Sequence, residues 1–343
     1  MKRIISVDKG ISTALAHDIT EIRPNEFKGV AFHRGHILSG SDIEHLRRLG
    51  KEHLYVLEPE SDEMHEDEAA VKIAEALCGE GIGRNGPPRE GKINLKATRD
   101  GLLKVAVSSL NRINALGEVI CATIHTNTMV QQDQKVATTG VIPLLIGRKR
   151  VQLAIEIAQE GEEVLRVLPL KEAKVGLLIT GTEIYEGRVQ DQFEPVIRQK
   201  VEALNGTMMD VVILPDDKDR ISKEAKRLVK RKADILIIAG GMSVDPDDVS
   251  RCAIEMAGAK NVLYGAPVLP GVMFFLAYLQ GVPVLGIPAC GIYASTTVFD
   301  LIYPRILAGE RITRQDLAVM GHGGYCLKCE TCRFPACPFG KSG

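Results

Sequence analysis

From residue 174 onward, apolar positions alternate between strand-like runs and helical spacing. Residues 174–180 (KVGLLIT), 209–214 and 234–239 (DILIIA) are short runs of strand length, and the last is apolar enough for a strand covered on both faces. Between the first two, Phe193, Val196, Ile197, Val201 and Leu204 recur at helical spacing; Asp191 stands at the N-cap position and Asn205-Gly206 ends the helix. The turn Pro215-Asp216-Asp217 leads into a basic helix predicted over residues 220–230. Gly240-Gly241 breaks the third strand. A helix over 248–256, a short strand near Val262, an apolar helix over 272–279, a strand over 282–287 and a last helix over 293–307 are predicted to follow. Four or more β-then-α units imply an α/β fold, a mostly parallel sheet with helices on both faces.

Upstream the pattern is less regular. Residues 30–32 and 54–57 read as strands, and residues 42–49 as a short helix ended by Gly50. An acidic stretch over 58–68 leads into a helix over 68–77, and the five glycines and two prolines of residues 79–91 make a loop or hinge. Short β-like runs at 119–123 and 141–144, a helix over 108–116 and a connecting helix over 150–160 complete this half. With the boundary near residues 169–174, three parts are expected: a mixed α/β N-terminal domain over 1–170, an α/β domain over 171–315 and a short Cys-rich tail over 316–343.

The 343 residues carry a formal net charge of −1, so no basic excess points to nucleic acid. Aromatic residues make up 4% and Trp is absent, which argues against base-stacking surfaces. The longest apolar run, residues 272–279, is far short of the roughly 20 residues that cross a bilayer. Asp8 and Lys9 arrive too early for a secretory leader. The expectation is a cytoplasmic protein without nucleic-acid or membrane partners, its cysteines reduced.

Ligands of open parallel sheets bind beyond the carboxyl ends of the strands, where backbone N–H groups converge. Three loops fall there. Thr180-Gly181-Thr182-Glu183 follows the first strand. Gly240-Gly241-Met242-Ser243-Val244-Asp245 follows the third and runs on to Asp247 and Asp248. Gly286-Ile287-Pro288-Ala289-Cys290-Gly291 follows the last. Their backbone donors and carboxylates suit a phosphorylated ligand with a bridging Mg²⁺. Taken singly, a Gly-Gly pair is as readily a sharp turn, and Asp248 or Asp191 a helix cap. Their recurrence at consecutive strand ends favours a site.

These segments, with Pro270-Gly271 and Gly286-Ile287-Pro288, resemble the molybdopterin-binding domain of molybdopterin adenylyltransferases and molybdenum insertases over about residues 171–309. Gly35-His36-Ile37-Leu38, with Asp42-Ile43 and Leu49-Gly50, resembles a segment of the insertase subfamily. The resemblance implies a three-layer α/β domain that binds molybdopterin, or its adenylylated form, with a divalent cation nearby. It places Thr180, Gly181, Thr182, Gly240, Gly241, Ser243, Pro270, Gly271 and Pro288 at the cofactor, and Glu183, Asp191, Asp216 and Asp248 in catalytic or cation-holding roles. The chain departs from the family in three places. Thr182 stands where the family carries Asp, Pro288-Ala289-Cys290-Gly291 replaces P-G-N-P, and the N-terminal D-x-S-x-x-D-G-Y-A motif is absent from residues 1–170.

Cys326, Cys329, Cys332 and Cys337 form a C-x2-C-x2-C-x4-C run followed by Pro338. In a reduced compartment this spacing implies a metal, either an iron–sulfur cluster or Zn²⁺. The bacterial ferredoxin run has one residue fewer before its fourth Cys and sends that Cys to a second cluster. The functional expectation is a role in molybdenum or tungsten cofactor biosynthesis, with insertion of molybdate or tungstate into adenylylated molybdopterin as its enzymatic form. The alternatives are a non-catalytic molybdopterin carrier or sensor that serves a client molybdoenzyme, and a redox accessory protein that uses an iron–sulfur tail. A homodimer is expected.

Overall fold

The computed structural model describes residues 2–23, 26–57, 60–242, 245–246 and 248–341. The chain forms two compact units. One comprises Met1–Arg99, Lys104–Ile124 and Val130–Val167; the other comprises Asp100–Leu103, His125–Met129 and Leu168–Gly343. None of the described helices is long and apolar enough to cross a membrane.

In the first unit, an antiparallel sheet runs in the order Ile82–Arg84, Lys92–Ala97, Lys135–Val141, Val119–Thr123. Helix Glu66–Leu77 packs on this sheet and on helix Arg148–Gln159, burying Ala69, Ala70, Ile73, Ala74 and Leu77. Part of the segment expected as a loop or hinge, Ile82–Arg84, is therefore a paired strand. The β-like run expected at residues 141–144 is two strands, Lys135–Val141 and Leu145–Gly147, that flank Pro143. Proline has no N–H to offer a ladder, so the pairing breaks there.

The second unit is an α/β domain. Its strands are β1 (Lys174–Thr180), β2 (Thr207–Leu214), β3 (Ile235–Ala239), β4 (Lys260–Tyr264), β5 (Phe275–Leu279) and β6 (Val282–Ile287). Its helices are α1 (Thr182–Tyr185), α2 (Phe193–Glu202), α3 (Lys218–Lys230), α4 (Ser250–Met256), α5 (Cys290–Tyr293), α6 (Val298–Leu307) and α7 (Arg314–Val319). The six strands form one sheet in the order β2-β1-β3-β6-β5-β4. β2, β1, β3 and β6 are parallel, and β5 and β4 close the edge antiparallel.

Strand side chains alternate between two cores, which makes the domain three-layered. β1 sends Val175, Leu177 and Ile179 into the core shared with α2 and α6, and Leu178 into the core shared with α3 and α4. β3 divides Ile235, Ile237 and Ala239 from Leu236 and Ile238 in the same way.

The helix expected over residues 272–279 is a strand. Gln280 and Gly281 both hold positive φ (54° and 90°), the conformation of a two-residue hairpin turn, and they fold β5 back onto β6. A strand apolar on both faces shows no alternation, so periodicity alone does not separate it from a buried helix.

Two buried groups carry a cost. Tyr303 is 1% exposed and stacks on Phe299, yet its hydroxyl finds no hydrogen-bond partner among the described residues. An unpaired buried hydroxyl is destabilising, so Tyr303→Phe is expected to stabilise the protein by about 1 kcal/mol, read as a higher urea midpoint at unchanged slope. In the first unit Glu66 is 6% exposed. Burial, then the neighbouring Asp67 carboxylate, pushes it from 4.5 up to about 7. Between those values the folded chain holds a proton that the unfolded chain has lost, so stability falls as pH rises through this window. Glu66→Gln is expected to flatten that slope and to gain about 2 kcal/mol above neutral pH, measured by urea unfolding across the same range.

Candidate ligand-binding site

The strand order places a topological switch point between β1 and β3. The chain leaves β1 towards β2 on one side and resumes at β3 on the other, which opens a crevice at their carboxyl ends. Two glycines let the backbones meet there. A Cβ on Gly240 would stand 2.2 Å from the Thr180 carbonyl oxygen, and one on Gly241 would stand 2.5 Å from Ser250 Oγ. Both glycines have positive φ, 89° and 59°. Behind them the Thr180 hydroxyl is buried, 2.9 Å from Ser250 Oγ and 3.3 Å from the Ala239 carbonyl to which it donates. Thr180 thus builds the crevice floor through its backbone and spends its side chain internally.

A cavity of about 390 Å³ opens beyond β3 and β6. Its walls bring together Gly240, Gly241, Asp248, Pro270, Gly271 and Pro288, six of the positions expected from sequence. Gly271 holds φ 115° and presses on Val298, where a Cβ would come within 2.8 Å. Ser243, and with it Val244 and Asp247, lies outside the described residues.

The other expected acids stand apart from this cavity. Asp191 accepts hydrogen bonds from the Phe193 and Glu194 amides (2.8 and 3.0 Å) and thereby caps α2. Asp216 accepts from the Thr182 amide (2.8 Å) and hydroxyl (3.1 Å), while its own amide donates back to Thr182 Oγ1 at 3.2 Å. The threonine that replaces the family's Asp therefore ties the end of β1 to the end of β2. Glu183 is exposed on α1, and its carbonyl accepts from the Arg188 and Val189 amides. Among the described residues no three His, Cys, Asp or Glu side chains are placed to hold one metal ion.

A larger hollow, about 850 Å³, lies at the opposite edge, beside Ala173, Asp234 and Pro283 at the amino ends of the strands and Leu307 and Gly309 at the end of α6. Helix C-termini present carbonyls and negative partial charge, so that edge suits an anionic ligand less well than the carboxyl edge.

Residues 176–308 match the family described as "Probable molybdopterin binding domain". They belong to that family. Residues 4–58 match a domain of unknown function. The chain is 28% identical over 150 residues to a molybdopterin molybdenumtransferase of Haemophilus influenzae, covering 41% of this chain and 37% of that protein. It is 30% identical over 109 residues to a CinA-like protein of a Mycobacterium species, covering 32% and 26%. Thus the matches span only about a third of those relatives' length. Among solved structures, the molybdopterin biosynthesis enzyme MoaB of Thermus thermophilus is 17% identical at a TM-score of 0.35, covering 40% of this chain and 98% of that one. The molybdopterin biosynthesis protein of Pyrococcus horikoshii is 15% identical at a TM-score of 0.33, covering 72% and 79%.

The cavity also gains Met242, Ala289 and Cys290 from within the expected loops, and Leu269, Val272 and Met273, which the sequence reading did not assign to it. Leu269, Val272 and Met273 belong to the crossing between β4 and β5, and the helix expected over 272–279 concealed it.

The tail packs into the same domain. The Leu269 amide donates to the Gly324 carbonyl (2.8 Å), and the Cys326 amide donates to the Leu269 carbonyl (2.9 Å). Phe339 is 4% exposed within the α2/α6 core. An aromatic side chain thus anchors the tail to the domain core. All eight cysteines are free thiols. The Phe334 amide, then the Thr296 hydroxyl at 3.6 Å, hold the Cys332 thiol below the usual cysteine value.

Gly240→Ala is expected to cost more than about 3 kcal/mol, since the new Cβ meets a backbone carbonyl at positive φ. Asp191→Ala is expected to cost only about 1 kcal/mol, the loss of a cap. Urea unfolding of the two variants measures both.

Proposed function

We propose that this chain binds molybdopterin or adenylylated molybdopterin at the carboxyl edge of its sheet and works in molybdenum or tungsten cofactor biosynthesis. The observation that carries the reading is the 390 Å³ cavity walled by Gly240, Gly241, Asp248, Pro270, Gly271 and Pro288 within a molybdopterin-binding-family domain. Glycines without side chains let a phosphate approach the backbone donors. Thr180, Gly181, Thr182 and Asp216 hold the floor in place as positioning residues.

In its enzymatic form the reading is transfer of molybdate or tungstate to adenylylated molybdopterin with release of AMP. Asp191 and Asp216 accept hydrogen bonds from neighbouring chain, and Asp248 alone of the four acids lines the cavity. A divalent cation there would be held by Asp248 together with phosphate oxygens of the ligand. That same dispersal of acids favours a second reading, a carrier or sensor that holds molybdopterin for a client molybdoenzyme. In both readings the tail thiols hold a metal centre, an iron–sulfur cluster or zinc, in the reducing cytoplasm, and the protein works as a homodimer.

Calorimetry of anaerobically purified protein with molybdopterin and its adenylylated form, followed by an AMP assay on adding molybdate, tests the reading. Binding with molybdate-dependent AMP release is the outcome expected of the enzyme; binding without release selects the carrier. Absence of binding to either pterin overturns both. Asp248→Asn is expected to weaken binding by less than about tenfold, and Gly271→Val, whose Cβ would run into Val298 at positive φ and displace the cavity wall, to weaken it by more than about a hundredfold.

A further inference from the structure

Glu66 is a buried acid to which the packing of the first unit gives no partner. It opens helix Glu66–Leu77, where the helix dipole favours an acid, and an acid so placed is ordinarily exposed and ionised. Glu66 is 6% exposed instead. Its own amide donates to the Leu144 carbonyl (2.9 Å), and Gly91 backs its carboxyl so closely that a Cβ there would stand 2.7 Å from Oε2. Asp67 beside it takes the nearby donors, the Gly91 amide at 3.3 Å and Arg34 Nη1 at 3.1 Å. Among the described residues the Glu66 carboxyl has neither a hydrogen bond nor an ion pair. It is not sealed as the Tyr303 hydroxyl is, so it meets open space.

That space is a cavity of about 480 Å³ lined wholly from the first unit. Its lining holds unpartnered groups of both signs. Lys51 and Lys92 are exposed and form no ion pair among the described residues. The other two carboxylates of the lining are engaged: Asp18 accepts from the Arg34 amide at 2.7 Å, and Glu90 from the Thr20 hydroxyl at 2.8 Å. Ile19, Ile22, Ile142 and Leu144 supply the apolar wall, and Ile22 and Ile142 are 62% and 66% exposed. Branched apolar side chains at a cavity rim suit a branched aliphatic guest.

A buried carboxyl without a partner gains most from a donor that is itself charged. An ammonium group answers Glu66, but a simple amine leaves the two lysines unused. A simple anion answers the lysines, but it brings its charge beside Asp18 and Glu90. A guest with both charges and an apolar arm meets every unpartnered group of the lining. We propose that this cavity binds an aliphatic amino acid, its ammonium on the Glu66 carboxylate, its carboxylate met by Lys51 and Lys92, and its side chain against Ile22 and Ile142.

The site carries its own proton signature. Burial, then Asp67, raises free Glu66 to about 7; Lys92 and Arg34 oppose this and Glu90 adds to it. Asp18, Lys51 and His17 also line the cavity, and burial lowers the His17 value below its usual one. A bound ammonium ionises Glu66. Binding below pH 7 therefore expels a proton, and affinity rises with pH up to about 7 and then levels.

The test is calorimetry of the full chain with leucine, with isoamylamine, which lacks the carboxylate, and with isocaproate, which lacks the amine. Leucine is expected to bind at least about tenfold more tightly than either. It is expected to release about one proton at pH 6 and little at pH 8, read from buffers of different ionisation enthalpy. Glu66→Gln, expected above to be the more stable chain, should weaken leucine by more than about tenfold and abolish the proton release. Lys51→Met or Lys92→Met should narrow the preference for leucine over isoamylamine. Binding of none of the three compounds would overturn the proposal, as would unchanged leucine affinity in Glu66→Gln. Isoamylamine binding as tightly as leucine would overturn the part given to the lysines. Isocaproate binding most tightly, with proton uptake, would make Glu66 a neutral donor to an anion and overturn the ammonium assignment.

Discussion

The close approach of the β3 end to the β1 end governs this domain. Gly240 lies so near the Thr180 carbonyl that no side chain fits between them. Two adjacent parallel strands can then open onto one crevice, from which β2 and β6 lie on opposite sides. The Thr180–Ser250 hydroxyl pair beneath the glycines satisfies the polar groups that such an approach buries. The crevice is accordingly a consequence of backbone packing, and the cavity beside it inherits a floor that cannot easily move.

The carboxylates show how little an acidic residue's position at a strand end says about its role. Asp191 and Asp216 stand where ligands of such sheets are bound, yet each accepts two hydrogen bonds from neighbouring chain and holds a turn or helix start. The Thr182–Asp216 pair ties adjacent strand ends with neutral donors where the family pattern has a second acid.

Much of the second unit was legible from residue pattern alone. β1 matches its expected limits, and α2, α3, β3 and β6 lie within a few residues of theirs, because each is a simple apolar run or stripe bounded by glycine, asparagine or aspartate. β5 was not legible. Its eight-residue apolar approach satisfies helix and strand equally, and the deciding feature, a left-handed Gln280-Gly281 turn, acts only once β6 is there to pair with. The antiparallel sheet of the first unit was largely hidden for the same reason, since Lys92–Ala97 and Lys135–Val141 are mixed in polarity and owe their strand form to each other.

By itself the sequence determined the alternation of buried strands and amphipathic helices, the glycines at the strand ends and the cysteine spacing, because each depends on local periodicity or on the steric freedom of single residues. Which of those residues face one space was decided only by tertiary structure. The cavity unites Gly240, Asp248, Pro270 and Pro288 and leaves Glu183, Asp191 and Asp216 outside it. Cys290 joins the tail thiols across a separation of more than thirty residues because the Leu269 backbone pairs with the start of the tail. Convergence of this kind depends on long-range pairing between segments, and local sequence carries no record of it.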